Sequence, residues 1–137
     1  MIKTLFISLV IFLYSIVALS HSTIVIKGVE HEDGFIDIKV YNSKDSFLDE
    51  EKAIESIRKK PTIDETIISL SKIHEGNFAL VVYHDENNDN KLNTGFFWRP
   101  KEGYAFSNNY IPKGPPSYNK AEIQIIHDKK VYITLNY

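Results

Sequence analysis

Oxygen-bearing side chains recur at every second position just after an apolar run in the middle of the chain. The run covers residues 78–83, and the three side chains after it are Asp85, Asn87 and Asp89. This spacing is typical of the first half of a calcium loop, in which positions one, three and five offer side-chain oxygens and position seven a carbonyl. Lys91 would supply that carbonyl, and Asn93 would reach the ion directly or through water. The stretch therefore predicts a Ca²⁺ site.

The second half of this loop departs from a full calcium-binding helix–loop–helix motif. Position twelve is Phe96, which cannot supply a bidentate carboxylate, and the nearest acid after the loop is Glu102. Glu102 would have to fold back to complete the coordination. The alternative is an Asp/Asn-rich turn whose side chains only accept hydrogen bonds from backbone N–H groups. Both interpretations stay open, and the predicted metal ligands are Asp85, Asn87, Asp89, Lys91, Asn93 and Glu102.

His84, directly before the loop, invites a catalytic interpretation. No nucleophile accompanies it, because Ser107 lies in Ala-Phe-Ser-Asn and not in a G-x-S-x-G elbow. We therefore predict no catalytic residues, with His84 ending a strand and bracing the loop. The alternative is a small hydrolase or hydrolase accessory domain that uses His84 and Glu102, which would require a cleft where both reach one substrate position.

Aromatic residues are concentrated downstream of the loop. Exposed rings beside a calcium site would suit a carbohydrate-binding face, where rings stack on sugars, whereas buried rings would pack a long loop onto the sheet beneath it. The aromatic set consists of Phe96, Phe97, Trp98, Tyr104, Phe106, Tyr110 and Tyr118.

The first twenty residues have the pattern of a secretory signal peptide. Lys3 precedes an apolar run from Leu5 to Leu19, and Ala18 and Ser20 are the small residues before a cut at His21. We expect cleavage to release an exported protein, periplasmic or extracellular, with no stable membrane anchor. The alternative is an uncleaved anchor that spans a thinned bilayer.

Length, charge and cysteine content limit the number of domains, the class of partner and the source of stability. Of 137 residues, those after the leader are enough for one domain, 21–137. The net charge of −2 argues against a nucleic-acid partner, which needs a concentrated basic face. The chain contains no cysteine, so the hydrophobic core must stabilise the domain without disulfides.

Hydrophobic periodicity predicts mainly strands. In residues 35–41, Ile36, Ile38 and Val40 alternate with Asp37 and Lys39, which indicates a strand packed on one side, paired in a hairpin with the strand at 23–27. The run 78–83 is apolar on both faces and is predicted to lie centrally in a sheet.

One segment, 49–60, has helical rather than alternating spacing. Ala53, Ile54 and Ile57 fall on one helical face, with acids before them and bases after them, so we predict a short helix or a charged loop. About seven strands with turns at hairpin spacing are typical of an all-β antiparallel β-sandwich of the immunoglobulin or transthyretin kind.

The chain resembles the bacterial secreted family known as domain of unknown function 2141. The similarity covers essentially all of the chain after the leader and is carried by the segments 76–79, 84–87, 90–93, 100–104, 106–109 and 114–118. It implies an exported β-sandwich and no known activity. Where the family tends to have glycine and aspartate, this chain has Asn90 and Asn93. Asn90 tolerates a left-handed backbone, but Asn93 removes a charge from the predicted metal site.

Two functional hypotheses follow from the sequence. The first is a non-catalytic exported domain that is stabilised by calcium and binds an envelope protein or a glycan. The second is the small hydrolase or accessory domain that uses His84 and Glu102.

Overall fold

The computed structural model describes residues 21–96 and 99–137, which are built mainly from β-strands. These residues form eight strands: β1 (Thr23–Lys27), β2 (Phe35–Tyr41), β3 (Glu55–Lys59), β4 (Glu65–Ser69), β5 (Gly76–Asp85), β6 (Tyr104–Phe106), β7 (Glu122–Ile125) and β8 (Lys130–Thr134). They also form a four-residue helix, α1 (Tyr118–Ala121), and 3-10 turns at Glu50–Lys52 and Ser107–Asn109. The predicted signal peptide, residues 1–20, lies outside the described residues. Within them, no helix has the length and apolar character needed to cross a membrane.

The strands are arranged in two sheets. The smaller has the order β4-β1-β8, with β1 antiparallel to β4 and parallel to β8. The larger has the order β3-β2-β5, and all of its pairs are antiparallel. Because β5 is ten residues long, its second edge pairs with two short strands, β7 along residues 76–79 and β6 along residues 81–83.

The main hydrophobic core contains residues from both sheets. Ile24 of β1 and Ile133 of β8 belong to the same cluster as the inward side chains of β2. The alternation predicted for β2 is confirmed, since Ile36, Ile38 and Val40 are fully buried. Two sheets around one core make the fold sandwich-like, as the sequence predicts, with eight strands instead of about seven.

Strand β5 is central, as its apolar character on both faces predicts. Val82 pairs with Ile38 on one side and with Ala105 on the other. The neighbouring positions Ala79 and Val81 face away from the main core and are buried in a second cluster with aromatic side chains. The outer face of the larger sheet is therefore covered too.

The sequence predicted that one face of β2 is exposed to solvent. This prediction is wrong, because the outer face of the larger sheet is covered. The outward residues Asp37 and Lys39 lie beneath the loops that cover the sheet, and Asp37 is only 5% exposed. The covered outer face buries Asp37 and leaves Lys39 only partly exposed, which period-two patterning alone does not reveal.

The predicted hairpin of β1 with β2 is also wrong. β1 pairs with β4 and β8 in the smaller sheet, whereas β2 belongs to the larger sheet. The segment between them crosses from one sheet to the other and contains Gly28 and Gly34, both with positive φ.

The helix predicted within 49–60 is replaced by a 3-10 turn and strand β3. Asp49 does accept a hydrogen bond from the backbone N–H of Glu51, but the helical turn ends at Lys52. From residue 55 the chain is extended, and Ile57 pairs with Ile38 of β2. Pairing with a strand whose inner face is buried overrides the weaker helical preference of the segment.

Candidate functional site

The acidic loop (residues 85–93) is closed by Asp85, the last residue of β5. Its carboxylate is fully buried and accepts hydrogen bonds from the backbone N–H of Asp89 at 3.0 Å and of Asn90 at 2.9 Å. These bonds fold the chain back on itself immediately after the strand. Gly34 contacts the backbone of Asp85 from the other side, and a Cβ there would collide with the Asp85 carbonyl group.

Two asparagines give the loop its shape. Asn88 has φ of 61° and Asn90 of 65°, both in the left-handed region. Asparagine adopts this region more readily than most residues other than glycine. The expectation that Asn90 tolerates a left-handed backbone in this loop is therefore met by its φ angle.

Arg58 of β3 supplies the positive charge at the base of the loop. Its guanidinium donates to the Asp85 carboxylate at 2.8 Å, to the Asn88 side-chain oxygen at 2.6 Å, and to the carboxylate of Asp37. Burial raises the pKa of Asp37 to about 6, against the opposing effect of the Arg58 charge. Arg58 was not among the predicted site residues, because the sequence assigned it to the end of a helix.

The exposed side of the loop is organised around Asp89. Its carboxylate accepts hydrogen bonds from the Lys91 backbone N–H at 2.9 Å and from the side-chain amides of Asn87 at 3.2 Å and Asn93 at 2.9 Å. The hydrogen bond from Asn93 is the main cause that lowers the pKa of Asp89.

Glu102 lies against the loop, although nine residues separate it from Asn93. One of its carboxylate oxygens accepts from the backbone N–H of Glu86 at 3.1 Å, and the other from the backbone and side-chain nitrogens of Asn93, each at 3.2 Å. The side chains of five predicted ligands, Asp85, Asn87, Asp89, Asn93 and Glu102, thus belong to one region, in which Lys91 contributes a backbone N–H.

This donor set fits a hard cation in type, because every side-chain ligand is an oxygen. The side-chain nitrogen of Asn93 donates hydrogen bonds to both Asp89 and Glu102. If the Asn93 amide were rotated by 180°, its oxygen would occupy this position and could bind a cation. Asp85 Oδ1 accepts a single hydrogen bond and keeps acceptor capacity. The same hydrogen bonds also agree with the alternative, a turn whose side chains accept from backbone donors.

His84 is fixed by two hydrogen bonds and is fully buried. Its Nε2 donates to the Asp33 carbonyl at 2.6 Å, so its Nδ1 accepts from the Tyr137 hydroxyl group at 2.7 Å. Neither His84 nor Glu102 lines either of the two cavities described below. The geometry therefore gives no support to the alternative in which these two residues act on one substrate.

A second histidine packs on His84. The His31 and His84 rings have centroids 4.7 Å apart, and His31 Nε2 lies 3.2 Å from the Glu86 carboxylate. Ligand atoms of these three residues lie within 4.8 Å of one another, a grouping that the sequence did not reveal. Both ring nitrogens of His84 are already hydrogen-bonded, so His84 has no nitrogen left for a metal ion. The cluster is therefore explained as packing beneath the acidic loop.

A cavity of about 180 Å³ lies on the outer face of the larger sheet, which we call the inner cavity. Strands β2, β5 and β6 contribute its floor, and the loops that follow β2, β5 and β6 contribute its walls. The lining residues are Lys39, Tyr41, Leu48, Glu50, Val81, Tyr83, Leu92, Thr94, Pro100, Tyr104, Phe106, Pro112 and Pro116. A mainly apolar and aromatic lining with few polar groups is typical of small-molecule sites.

The polar groups of the inner cavity are two tyrosines and an ion pair. Tyr41 and Tyr83 are 1% and 2% exposed, yet within the described residues neither hydroxyl group has a hydrogen-bond partner. The ammonium group of Lys39 lies 3.6 Å from the Glu50 carboxylate. Burial raises the pKa of Tyr41 to about 12 and raises that of Tyr83 as well, so both hydroxyl groups stay protonated at neutral pH.

The two tyrosine hydroxyl oxygens are not enclosed. Among the described residues that are not exposed, the one enclosed side-chain nitrogen or oxygen atom without a partner is His31 Nδ1. The oxygens of Tyr41 and Tyr83 therefore reach accessible space, and both rings line the inner cavity. Each hydroxyl group is free to donate to a ligand there, which a buried structural tyrosine seldom is.

A second cavity of about 660 Å³, the outer cavity, adjoins the first. It shares Pro100, Tyr104 and Pro112 with the inner cavity, and its remaining lining residues are Phe96, Arg99, Lys113 and Gly114. Together the two cavities extend from the Lys39–Glu50 pair on the sheet to the exposed loops.

The aromatic set has divided roles. Tyr104 and Phe106 line the inner cavity, and Phe96, 85% exposed, lines the outer cavity. Phe106, Tyr110 and Tyr118 also belong to the second hydrophobic cluster, in agreement with the packing alternative. Phe97 and Trp98 lie outside the described residues.

The sequence did not identify the tyrosines and the ion pair that line the inner cavity. A signal was present, because β5 is apolar on both faces, which requires something to cover its outer face. The loops that provide the cover are irregular, so the shape between them was not predictable.

Comparison with known proteins identifies the family to which the chain belongs. No curated protein and no solved structure shows significant similarity to this chain. A family model described as an uncharacterised protein conserved in bacteria, DUF2141, matches residues 24–134, and the chain therefore belongs to this family.

Proposed function

We propose that this protein is an exported, non-catalytic β-sandwich domain that binds a glycan in the inner cavity. The observation that carries the proposal is the pair of buried tyrosines, Tyr41 and Tyr83, whose hydroxyl groups lack a partner within the described residues although both rings line the cavity. A sugar ring has both apolar C–H faces and hydroxyl groups. It would therefore use the rings and the polar atoms of this cavity together.

The ion pair in the cavity supports the same ligand class. Lys39 and Glu50 are 3.6 Å apart, longer than a good hydrogen bond, so each keeps capacity for another partner. A sugar hydroxyl group both donates and accepts, and could bridge the ammonium and carboxylate groups. A purely apolar ligand would remove water from both charged groups and offer them no hydrogen bond in return, which is costly.

The second part of the proposal is a Ca²⁺ ion at the acidic loop. Asp85, Asn87, Asp89 and Asn93 would hold it through side-chain oxygens and Lys91 through its carbonyl, with Glu102 completing the set. The shared contact of Asp89 and Glu102 with the Asn93 amide supports this, because it draws two negative groups to one place. With so few carboxylates, the dissociation constant should be weak, roughly 10⁻⁴ to 10⁻³ M.

The proposed ion would act on the cavity through the chain that connects them. Leu92 and Thr94 belong to the cavity wall and flank Asn93 of the loop. Bound calcium would fix the loop and, with it, that wall. Such a site is occupied only where calcium is millimolar, which agrees with the export expected from residues 1–20.

A Tyr83→Phe variant tests the glycan proposal. The protein would be applied to an array of oligosaccharides, and the dissociation constant of the best ligand measured by calorimetry. Because the hydroxyl group has no partner among the described residues, its removal should leave the free energy of unfolding within about 0.5 kcal/mol of wild type. The affinity should fall roughly fivefold, the value of one hydrogen bond.

Tyr132→Phe is the matched control. Tyr132 is 53% exposed on β8 of the other sheet and lines neither cavity. Its variant should bind like wild type. Absence of binding to every oligosaccharide, or an unchanged affinity in Tyr83→Phe, would overturn the glycan proposal and favour an envelope protein as the partner.

A further inference from the structure

The outer cavity has an uncompensated positive charge. Arg99 and Lys113 are both exposed and both line it, while no aspartate or glutamate does. Within the described residues, neither side chain takes part in an ion pair or hydrogen bond. The whole chain has a net charge of −2, so this local excess of positive charge is opposite in sign to the protein as a whole.

Some other basic side chains of this protein are paired with acids. Lys27 lies 3.2 Å from Glu65, Lys52 lies 2.8 Å from Asp49, and Arg58 is bonded to two carboxylates. Arg99 and Lys113 differ from these three because both line one cavity, and no aspartate or glutamate lines it with them. Their field is focused where the protein walls exclude part of the water.

We propose that the ligand is an acidic glycan that spans both cavities, with a uronic-acid carboxylate held by Arg99 and Lys113. This inference rests on the proposed glycan function and adds the charge of the ligand. A guanidinium group binds a carboxylate through two parallel hydrogen bonds, and an ammonium group adds a point charge beside it. Tyr104, which lines both cavities, is then positioned to stack on the sugar that connects the two ends.

The inner and outer cavities differ in the charge of the group that they favour. In the inner cavity, the positive Lys39 is already opposed by Glu50, so this end favours a neutral, hydroxyl-rich sugar. In the outer cavity, no acid opposes the two cations, so this end favours a negative group. An oligosaccharide with neutral and carboxylated positions matches both ends, whereas a neutral chain leaves Arg99 and Lys113 without partners.

The test uses oligosaccharides that contain galacturonate, glucuronate or mannuronate, each presented beside its carboxyl-reduced form. The reduced form keeps the chain and loses only the charge. We expect wild-type protein to bind the acidic form of its best ligand about tenfold more tightly, as charge-assisted hydrogen bonds predict. The preference should weaken with increasing ionic strength, because both cations are exposed.

An Arg99→Gln/Lys113→Gln double variant should lose the preference, so that it binds the acidic form no more tightly than the reduced form. Lys129→Gln/Lys130→Gln changes the net charge equally at two exposed positions where β8 begins, outside both cavities, and should keep the preference. Equal binding of acidic and reduced forms, weakened roughly fivefold by Tyr83→Phe, would overturn the acidic ligand and leave the glycan proposal intact. Binding of neither form, or preferential binding of acidic peptides, would overturn both.

Discussion

The guanidinium group of Arg58 lies 2.8 Å from the carboxylate of Asp85, although 27 residues separate them in the sequence. Asp85 is fully buried at the end of the central strand, and Arg58 extends to it from the edge strand β3. The contact connects the edge of the larger sheet to the base of the acidic loop. It makes the loop dependent on a residue that no calcium-loop pattern contains.

Loss of this charge should destabilise the whole domain. In Arg58→Gln, Asp85 and Asp37 remain buried without a full positive partner, and breaking such a pair costs about 3 kcal/mol or more. Urea unfolding monitored by circular dichroism would measure the loss. Lys52→Gln removes a charge from the exposed pair with Asp49 and should unfold nearly as wild type does. Equal midpoints for the two variants would contradict this role of Arg58.

Asp37 should make stability fall as pH rises between about 4 and 6. Its pKa is raised from 3.8 to about 6, mainly by burial, with Asp85 and Glu50 adding to the shift and Arg58 and Lys39 opposing it. In this window the folded state binds a proton that the unfolded state has already lost, so deprotonation favours unfolding as the pH increases.

An Asp37→Asn variant should lack this contribution. The difference in unfolding free energy between the variant and wild type should therefore change in favour of the variant from about pH 4 to about pH 6 and level off above. Urea titrations at a series of pH values, in the presence of chelator, would measure it. A difference that stays constant across the window would show that the Asp37 carboxyl group does not titrate in this way.

The sequence predicted those parts of the fold in which a pattern of apolar residues is compatible with only one kind of element. The alternating apolar residues of β2 and the two-sided apolar run of β5 fix these strands as buried and central. Left-handed Asn90 follows from its place in a tight loop, and Glu102 lies against that loop as the calcium hypothesis requires.

The parts that were missed depend on pairing between distant segments. The segment 55–59 has charges and apolar residues that suit a helix or a strand, and only β2 beside it selects the strand. The role of Arg58 follows from that strand, because extension and pairing bring it beside Asp37. The inner cavity could not be predicted either, because its walls are irregular loops. Glycine and proline residues indicate where such loops occur in the sequence, but not the shape that the loops adopt.

Calcium should raise the melting temperature of the domain. A ligand that binds only the folded state stabilises it by about 1.4 kcal/mol when its free concentration is tenfold above the dissociation constant. We expect a higher melting temperature in millimolar calcium than in excess chelator, and a much smaller rise in magnesium, which requires a tighter octahedral set of ligands. Differential scanning fluorimetry would measure the shift.

Asp89→Ala should abolish this calcium-dependent shift, because it removes the carboxylate around which the exposed side of the loop is organised. Asp45→Ala removes an equally exposed carboxylate outside the loop and should keep the full shift. Identical melting of the wild-type domain in calcium and in chelator would leave the acidic loop as a turn held by its own hydrogen bonds.

Calcium and glycan binding should be coupled through the segment 92–94. Leu92 and Thr94 line the inner cavity, and Asn93 between them is bonded to Asp89 and Glu102. An ion that orders these residues removes part of the ordering that a sugar would otherwise have to impose. We expect glycan affinity to be roughly fivefold higher in calcium than in chelator, which corresponds to about 1 kcal/mol of coupling.

The coupling must be reciprocal, so saturating glycan should raise the affinity for calcium by the same factor. Calorimetric titration of each ligand in the presence and absence of the other would measure both sides. Asp89→Ala should bind the glycan in calcium only as well as wild type does in chelator. Asp45→Ala should respond to calcium as wild type does. A wild-type glycan affinity that is the same in calcium and in chelator would show that the loop and the cavity wall act independently, even if each site binds its ligand.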